Sequence, residues 1–231
     1  MDPIIVVTPC SRPQNLYILA QSFFTCPKEL DIRWYIYFDT TKVDVDKEAN
    51  SINSFLDQLQ LNLPHLKVTT RSVTYPKKTL GGYGQRNLAI DWIQQNVGGA
   101  YIYALDDDNI LYPDLLSTIQ FYSEKYKNLY KGFIFSQIYD AEPTNESHKW
   151  KYLIRIADKE FVKPCYIDIA QYLVHTDLIG DIRIEADNSN GDGKFIQEIY
   201  EKNPNSFLFL IQPLCYYNSL NPKKQWVQFR R

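Results

Sequence analysis

The sequence predicts an α/β protein built on a mostly parallel, doubly wound sheet with a mixed C-terminal half. Three observations carry that expectation. Apolar runs of strand length occur at Ile4 to Thr8 and Ile32 to Phe38, and stretches of helical period alternate with them. Three adjacent carboxylates, Asp106, Asp107 and Asp108, stand directly behind a third such run, Tyr101 to Leu105. Sheets of this kind bind ligands beyond the carboxyl ends of their strands, so that is where acidic residues act on a ligand.

In order, the run at Ile4 ends at Thr8-Pro9, and Arg12 to Phe24 repeats Leu16, Leu19, Ala20 and Phe23 at helical spacing. Ile32 to Phe38 is a strand ending at Asp39, Ala49 to Leu61 an amphipathic helix, and Leu66 to Val73 extended. The loop Gly81-Gly82-Tyr83-Gly84 opens a helix from Gln85 to Gln95; the Tyr101 strand and its aspartates follow, then a helix from Pro113 to Lys125. Regular alternation stops near residue 135. Phe133 to Ile138, Tyr152 to Ile156, Phe161 to Ile167 and Phe207 to Leu210 read as strands between irregular polar segments, and Lys194 to Tyr200 as a helix. The expectation is one domain over 1–231, with a nucleotide-binding half at 1–135 and an acceptor-binding half at 136–231, because no linker or repeat separates them.

Composition narrows the function. A net charge of -2 supplies no basic field, so nucleic acid is not expected as a partner. The most basic segment, Pro222 to Arg231, could touch an anionic membrane surface or a diphosphate, and equally reads as a solvated tail. Four scattered cysteines and three scattered histidines suggest neither a zinc site nor a disulfide framework. No window is apolar for long enough to span a membrane and the first strand begins at Ile4, so a cytoplasmic location is expected. The sequon Asn145-Glu146-Ser147 is then accidental.

Dinucleotide and P-loop signatures are missing: Thr8 to Pro13 carries no glycines, and no Gly-Lys-Ser/Thr follows the glycine-rich loop. A calcium loop starting at Asp106 would need a polar ligand where Ile110 stands and a glycine where Leu111 stands. What remains is a carboxylate cluster suited to a hard divalent cation that holds phosphate oxygens. The competing reading is an acidic turn capping the next helix, for which one carboxylate would suffice. Asp39, at the end of another strand, suits a base or ribose, and Arg86, in a first helical turn, suits a phosphate or an aspartate. Each also reads alone as an ordinary turn or surface residue. Tyr83, Trp150 and Tyr217 are candidate sugar platforms, whereas Trp92 has the spacing of a packing residue.

Thr8-Pro9, Asp39, Gln85-Arg86-Asn87-Leu88-Ala89 with Trp92, Asp106-Asp107-Asp108-Asn109 and Ile167-Asp168-Ile169-Ala170 occur in an order that resembles the GT-A glycosyltransferases. The likeness is to the β-1,3-glucuronyltransferase group, family 43. It spans most of the chain, and Gln-Arg-Asn about twenty residues before Asp-Asp-Asp-Asn is its most specific piece. The resemblance implies a GT-A fold and a transferase moving a sugar from a nucleotide diphosphate, UDP in the first instance, to a hydroxyl of a glycan or glycolipid acceptor with inversion. It implies that Asp108 holds Mn2+ or Mg2+, that Asp107 contacts ribose beside Asp106, that Thr8, Pro9 and Asp39 border the base, and that Arg86 works at the nucleotide end. The family's carboxylate base falls at Asp192, with Asp187 as a neighbouring competitor and a helix cap as the bland alternative. Asp140, Lys163 and Asp168 fall where related enzymes keep residues near the sugars. Gly81 and the Cys215-Tyr216-Tyr217-Asn218 segment depart from the group's arginine and histidine, so the donor sugar is not carried over. Rival readings are a sugar-phosphate nucleotidyltransferase and a non-catalytic carbohydrate-binding protein of the same fold.

Overall fold

Hydrophobic side chains alternate to both faces of the early strands, so each strand must be covered on two sides, and the chain folds accordingly. The structure, a computed structural model, describes residues 1–74, 82–140, 152–217 and 220, with backbone alone at 45–50, 139–140 and 152–153. Strands β1 (Ile4–Cys10), β2 (Ile32–Asp39), β3 (Leu66–Val73) and β4 (Tyr101–Ala104) run parallel in the order β3-β2-β1-β4. Ile4, Val6, Trp34, Ile36 and Tyr103 point to one face, against helices α1 (Leu16–Gln21), α2 (Val45–Asn62) and α4 (Leu115–Lys125). Ile5, Val7, Tyr35 and Tyr37 point to the other, against α3 (Tyr83–Asn96).

The second half joins the same sheet. β5 (Gly132–Asp140), β6 (Tyr152–Arg155), β7 (Tyr172–His175) and β8 (Phe207–Tyr216) extend the order to β4-β7-β5-β6, with β8 parallel to β5. β7 lies antiparallel between β4 and β5. Helices α5 (Thr176–Ile179) and α6 (Gly191–Lys202) contribute to a second cluster with Ile134, Val174, Ile196 and Ile199 at its centre.

Two expectations are corrected. The single helix from Arg12 to Phe24 is divided into a 3-10 turn at Pro13–Asn15, α1, and a second 3-10 turn at Ser22–Thr25. The strand expected at Phe161 to Ile167 is a 3-10 turn at Lys159–Phe161 and irregular chain. Pro164 lacks a donor for a ladder, and Cys165 takes φ 69°, outside the strand region. β7 was not anticipated: its four residues are buried on both faces and so lack the alternation that marks a strand.

Far from the carboxyl ends of the parallel strands, His175 is 2% exposed, its Nδ1 accepts from the Asp177 amide (3.2 Å) and its Nε2 lies 3.1 Å from Asp2 Oδ2. Burial lowers its pKa, against the pull of Asp177 and Asp2. The unfolded chain therefore takes up the proton first, so this residue's contribution to stability is complete above about pH 6.5 and declines as pH falls below it. Urea unfolding at pH 7.5 and 5.5 should show a drop that is smaller in His175→Gln; an identical drop in both proteins would remove this residue as its source.

Candidate active site

The carboxyl ends of β1, β2 and β4 meet at a recess of about 250 Å3. Pro9, Arg12, Asp39, Lys42, Gly82, Gln85 and the three aspartates line it. Proline at the end of β1 leaves a small apolar floor, and Gly82 crosses it at φ +70°, where an added Cβ would stand 2.5 Å from the Pro9 ring. Only a residue without a side chain permits that approach.

Each member of Asp-Asp-Asp-Asn has its own partner. Asp106 pairs with Arg86. Asp107, 3% exposed at its side chain, accepts from the Ser11 amide (2.5 Å), the Arg12 amide (2.8 Å), Ser11 Oγ (3.1 Å) and Arg12 Nε (2.9 Å). Arg12 also reaches Asp108 Oδ2 at 3.0 Å. Asn109 Nδ2 donates to the Tyr216 carbonyl at the end of β8 (2.6 Å), and the Leu220 amide donates to the Asp108 carbonyl (2.7 Å). The motif thus ties the turn after β1, the start of α3 and the end of β8 to one point.

Gln-Arg-Asn is divided in the same way. Gln85 faces the recess with its Oε1 buried and without a partner among the described residues. Arg86, 3% exposed, meets Asp106 and stacks 5.6 Å from the Tyr83 ring. Asn87 exchanges two hydrogen bonds with the Ile184 backbone (2.8 and 2.9 Å), which fixes the segment leading into α6.

That segment delivers Asp192. Asn190 holds the N-cap position, so Asp192 is not the cap; it stands in the first turn of α6, where its Oδ1 accepts from Gly193 N at 2.8 Å. Burial raises its pKa above the usual carboxylate range, with Gly193, Arg86 and Tyr83 opposing. Asp106 is pushed up to about 6 by desolvation among the surrounding side chains, against the pull of Arg86, although a third of its own side chain still reaches solvent. Asp168 is also raised by burial, although the Ala170 amide (2.9 Å) and Gln137 Nε2 (3.2 Å) donate to it. Asp106, Asp168 and Asp192 raise one another's pKa, and Arg86 acts on both Asp106 and Asp192.

The remaining expected residues are distributed as follows. Asp39 forms a strand-end turn in which burial is outweighed by bonds from Thr41 N (3.0 Å), Thr41 Oγ1 (2.6 Å) and Lys42 (3.3 Å), so its pKa is lowered. Thr8, expected at the nucleotide, is instead fully buried with its hydroxyl accepting from Trp34 Nε1 at 2.9 Å, because even-numbered β1 residues face the α1 side. Tyr83, expected as a sugar platform, is 7% exposed and faces Asp192. Lys163 is exposed, with Nζ 4.5 Å over the Tyr166 ring, and Asp187 is exposed. The side chain of Asp140 lies outside the described residues, as do Gly81, the sequon, Trp150, Asn218 and the basic tail. Arg12 and Lys42 are the residues missed. A basic side chain directly after a strand, opposite an acidic block, was the available signal.

No family model matches the chain, and no curated protein matches it. Solved structures do. TarS of S. aureus, residues 1–349, superposes with a TM-score of 0.59 at 15% identity, covering 93% of this chain and 60% of that one. The same protein in complex with UDP gives 0.59 at 16% identity with the same coverage. A mannosyltransferase from Pyrobaculum calidifontis, in complex with GDP-Man and Mn2+, gives 0.57 at 12% identity, covering 98% of this chain and 59% of that one. The chain thus spans about 60% of the length of each. What is shared at such identity is the fold, which is GT-A-like. Among the described residues, no helix is long and apolar enough to cross a membrane.

Proposed function

We propose that this chain is a metal-dependent glycosyltransferase, of cytoplasmic location, that moves a sugar from a nucleotide diphosphate, UDP in the first instance, to a hydroxyl of a glycan or glycolipid acceptor with inversion. The observation that carries the reading is the recess at the carboxyl ends of β1, β2 and β4, lined by Arg12, Asp39, Lys42, Asp106, Asp107 and Asp108; Asp192 stands outside that lining but close enough to Asp106 for its pKa to be raised by that charge. Structural neighbours bound to UDP, or to GDP-Man with Mn2+, support it. The motif likeness to the glucuronyltransferase group supports the position of the base.

The donor set suits a hard cation. Three aspartates face two guanidinium groups, Arg12 and Arg86, which leaves the cluster one negative charge in excess. Magnesium-type ions take one or two protein carboxylates and complete their shell with water and phosphate. Asp108 would hold the ion, with Asp106 beside it; when bound, it would neutralise charge on the departing diphosphate. Asp39 and Pro9 would border the base, and Arg12 and Lys42 would meet the phosphates. Asp107, fully occupied by Ser11 and Arg12, would shape the ribose side by holding that turn. Asp192 would take the acceptor hydroxyl proton as that oxygen attacks the anomeric carbon. Asp168, Lys163 and Asp140 would stand on the acceptor side.

The rival reading is a non-catalytic scaffold; among the described residues no group of three or more acidic, histidine or cysteine side chains is arranged to hold a metal, which is compatible with an ion that takes one or two protein carboxylates. Calorimetry separates the two readings. UDP, GDP, CDP and dTDP are titrated with and without Mn2+. Metal-dependent binding of one nucleotide, lost in a folded Asp108→Ala variant, is the expected result. Absence of binding by all four would leave the scaffold reading standing.

A further inference from the structure

α3 packs on β1 and β2, while β3 is the edge of the sheet. Among the described residues the face of β3 beside α3 is therefore open, and a second pocket of about 480 Å3 lies there, sharing no lining residue with the recess. Tyr37 and Arg71 are register partners on β2 and β3, so both side chains issue from the same face of the sheet. Trp92, from α3, forms the opposite wall with Leu88.

The polar side chains of this pocket are those of Tyr37, Arg71, Asp91 and Gln95, of which Arg71 is donor-only. The Arg71 guanidinium lies 4.5 Å over the Trp92 ring, and Arg71 makes no ion pair or hydrogen bond among the described residues. Tyr37 is 2% exposed, and its hydroxyl has no hydrogen-bond partner among the described residues. Burial pushes that phenol up to about 12, which keeps its proton in place. The one acid on the wall, Asp91, is already held by Arg183 through Nε (2.8 Å) and Nη2 (2.6 Å), so its charge is neutralised. Trp92 is fixed edge-on by Tyr35 at 5.3 Å and offers a rigid apolar surface.

A guanidinium and a buried phenol without acceptors call for an oxyanion, and an indole beside leucine calls for a ring face. The volume is that of a small-ligand site. We propose that Tyr37, Arg71 and Trp92 form a second binding site, for a sugar-sized ring that carries a carboxylate or a phosphate. This proposal stands independently of the function assigned to the recess.

The test uses the isotope-labelled full chain, following the Trp92 indole and Arg71 Nε signals, identified with Trp92→Phe and Arg71→Gln, during titration with glucuronate, glucose 6-phosphate, glucose and inorganic phosphate. One of the two sugar anions should move both signals saturably, which also names the anion, and glucose should not. Arg71→Gln should weaken that binding by about tenfold or more, and Tyr37→Phe by a smaller factor. Nucleotide binding at the recess should be unchanged in both. The proposal is overturned if neither sugar anion moves the signals, if Arg71→Gln leaves the affinity intact, or if inorganic phosphate binds as well as the sugar anion.

Discussion

Asp192→Asn should bind nucleotide and metal as the wild type does, yet lose transfer by on the order of a hundredfold or more. The substitution keeps the shape of the side chain and its acceptor for Gly193 N, while removing the site that takes a proton. Burial holds this carboxyl above its ordinary range, which makes it a stronger base than an exposed aspartate. It must be ionised to act, so wild-type transfer should decline as pH falls through its raised pKa. Near-normal turnover in the variant would move the role to another acid. Asp187 is the alternative close in sequence, but it is exposed. Calorimetry on the same preparation keeps a lost base distinct from a lost donor site.

Asp107→Ala should cost about 2–3 kcal/mol of folding stability, read as a lower urea midpoint at unchanged slope. Asp107 is 3% exposed and answers two backbone amides and the Arg12 guanidinium of a turn 95 and 96 residues away. Without it, those amides lose their acceptor, and Arg12 retains only Asp108. The Arg12 side chain is 32% exposed and keeps that second partner, so the cost comes mainly from the two amides left without an acceptor. Asp31 is the control. Its own side chain is 35% exposed against 3% for Asp107, and it accepts from no backbone amide among the described residues, so Asp31→Ala should cost about 1 kcal/mol or less. If the two variants lose equal stability, Asp107 has no special hold on the turn.

How far the site was legible follows from where its signals lie. Asp106 to Asn109 stand out because adjacent charges behind an apolar run are costly without partners, and Gln85 to Asn87 because they open a helix after glycines. Both blocks sit at the recess or tie it together. Their partners were harder to see. Arg12 belongs to a turn with no periodicity, and only the fold brings it to Asp107. Thr8 misled because a residue at a strand's carboxyl end points either to ligand or to core according to parity, and its parity puts it on Trp34. The parallel strands were readable from their apolar runs. The later strands were not all so: β7 is too short to show a period, and the false strand at Phe161 has β-favouring residues whose backbone is overridden by Pro164 and Cys165.

The placement of β7 bears on how such a protein could be re-engineered. Residues 172–175 sit between β4 and β5, so a chain cut near residue 135 would lose the neighbour that covers β4. Tyr101 to Tyr103 would then present an unpaired apolar edge, a template for self-association. Any swap of the C-terminal portion would have to carry a compatible β7 with it. The two portions are interwoven parts, and exchange is feasible at loops outside the sheet rather than at the midpoint of the chain.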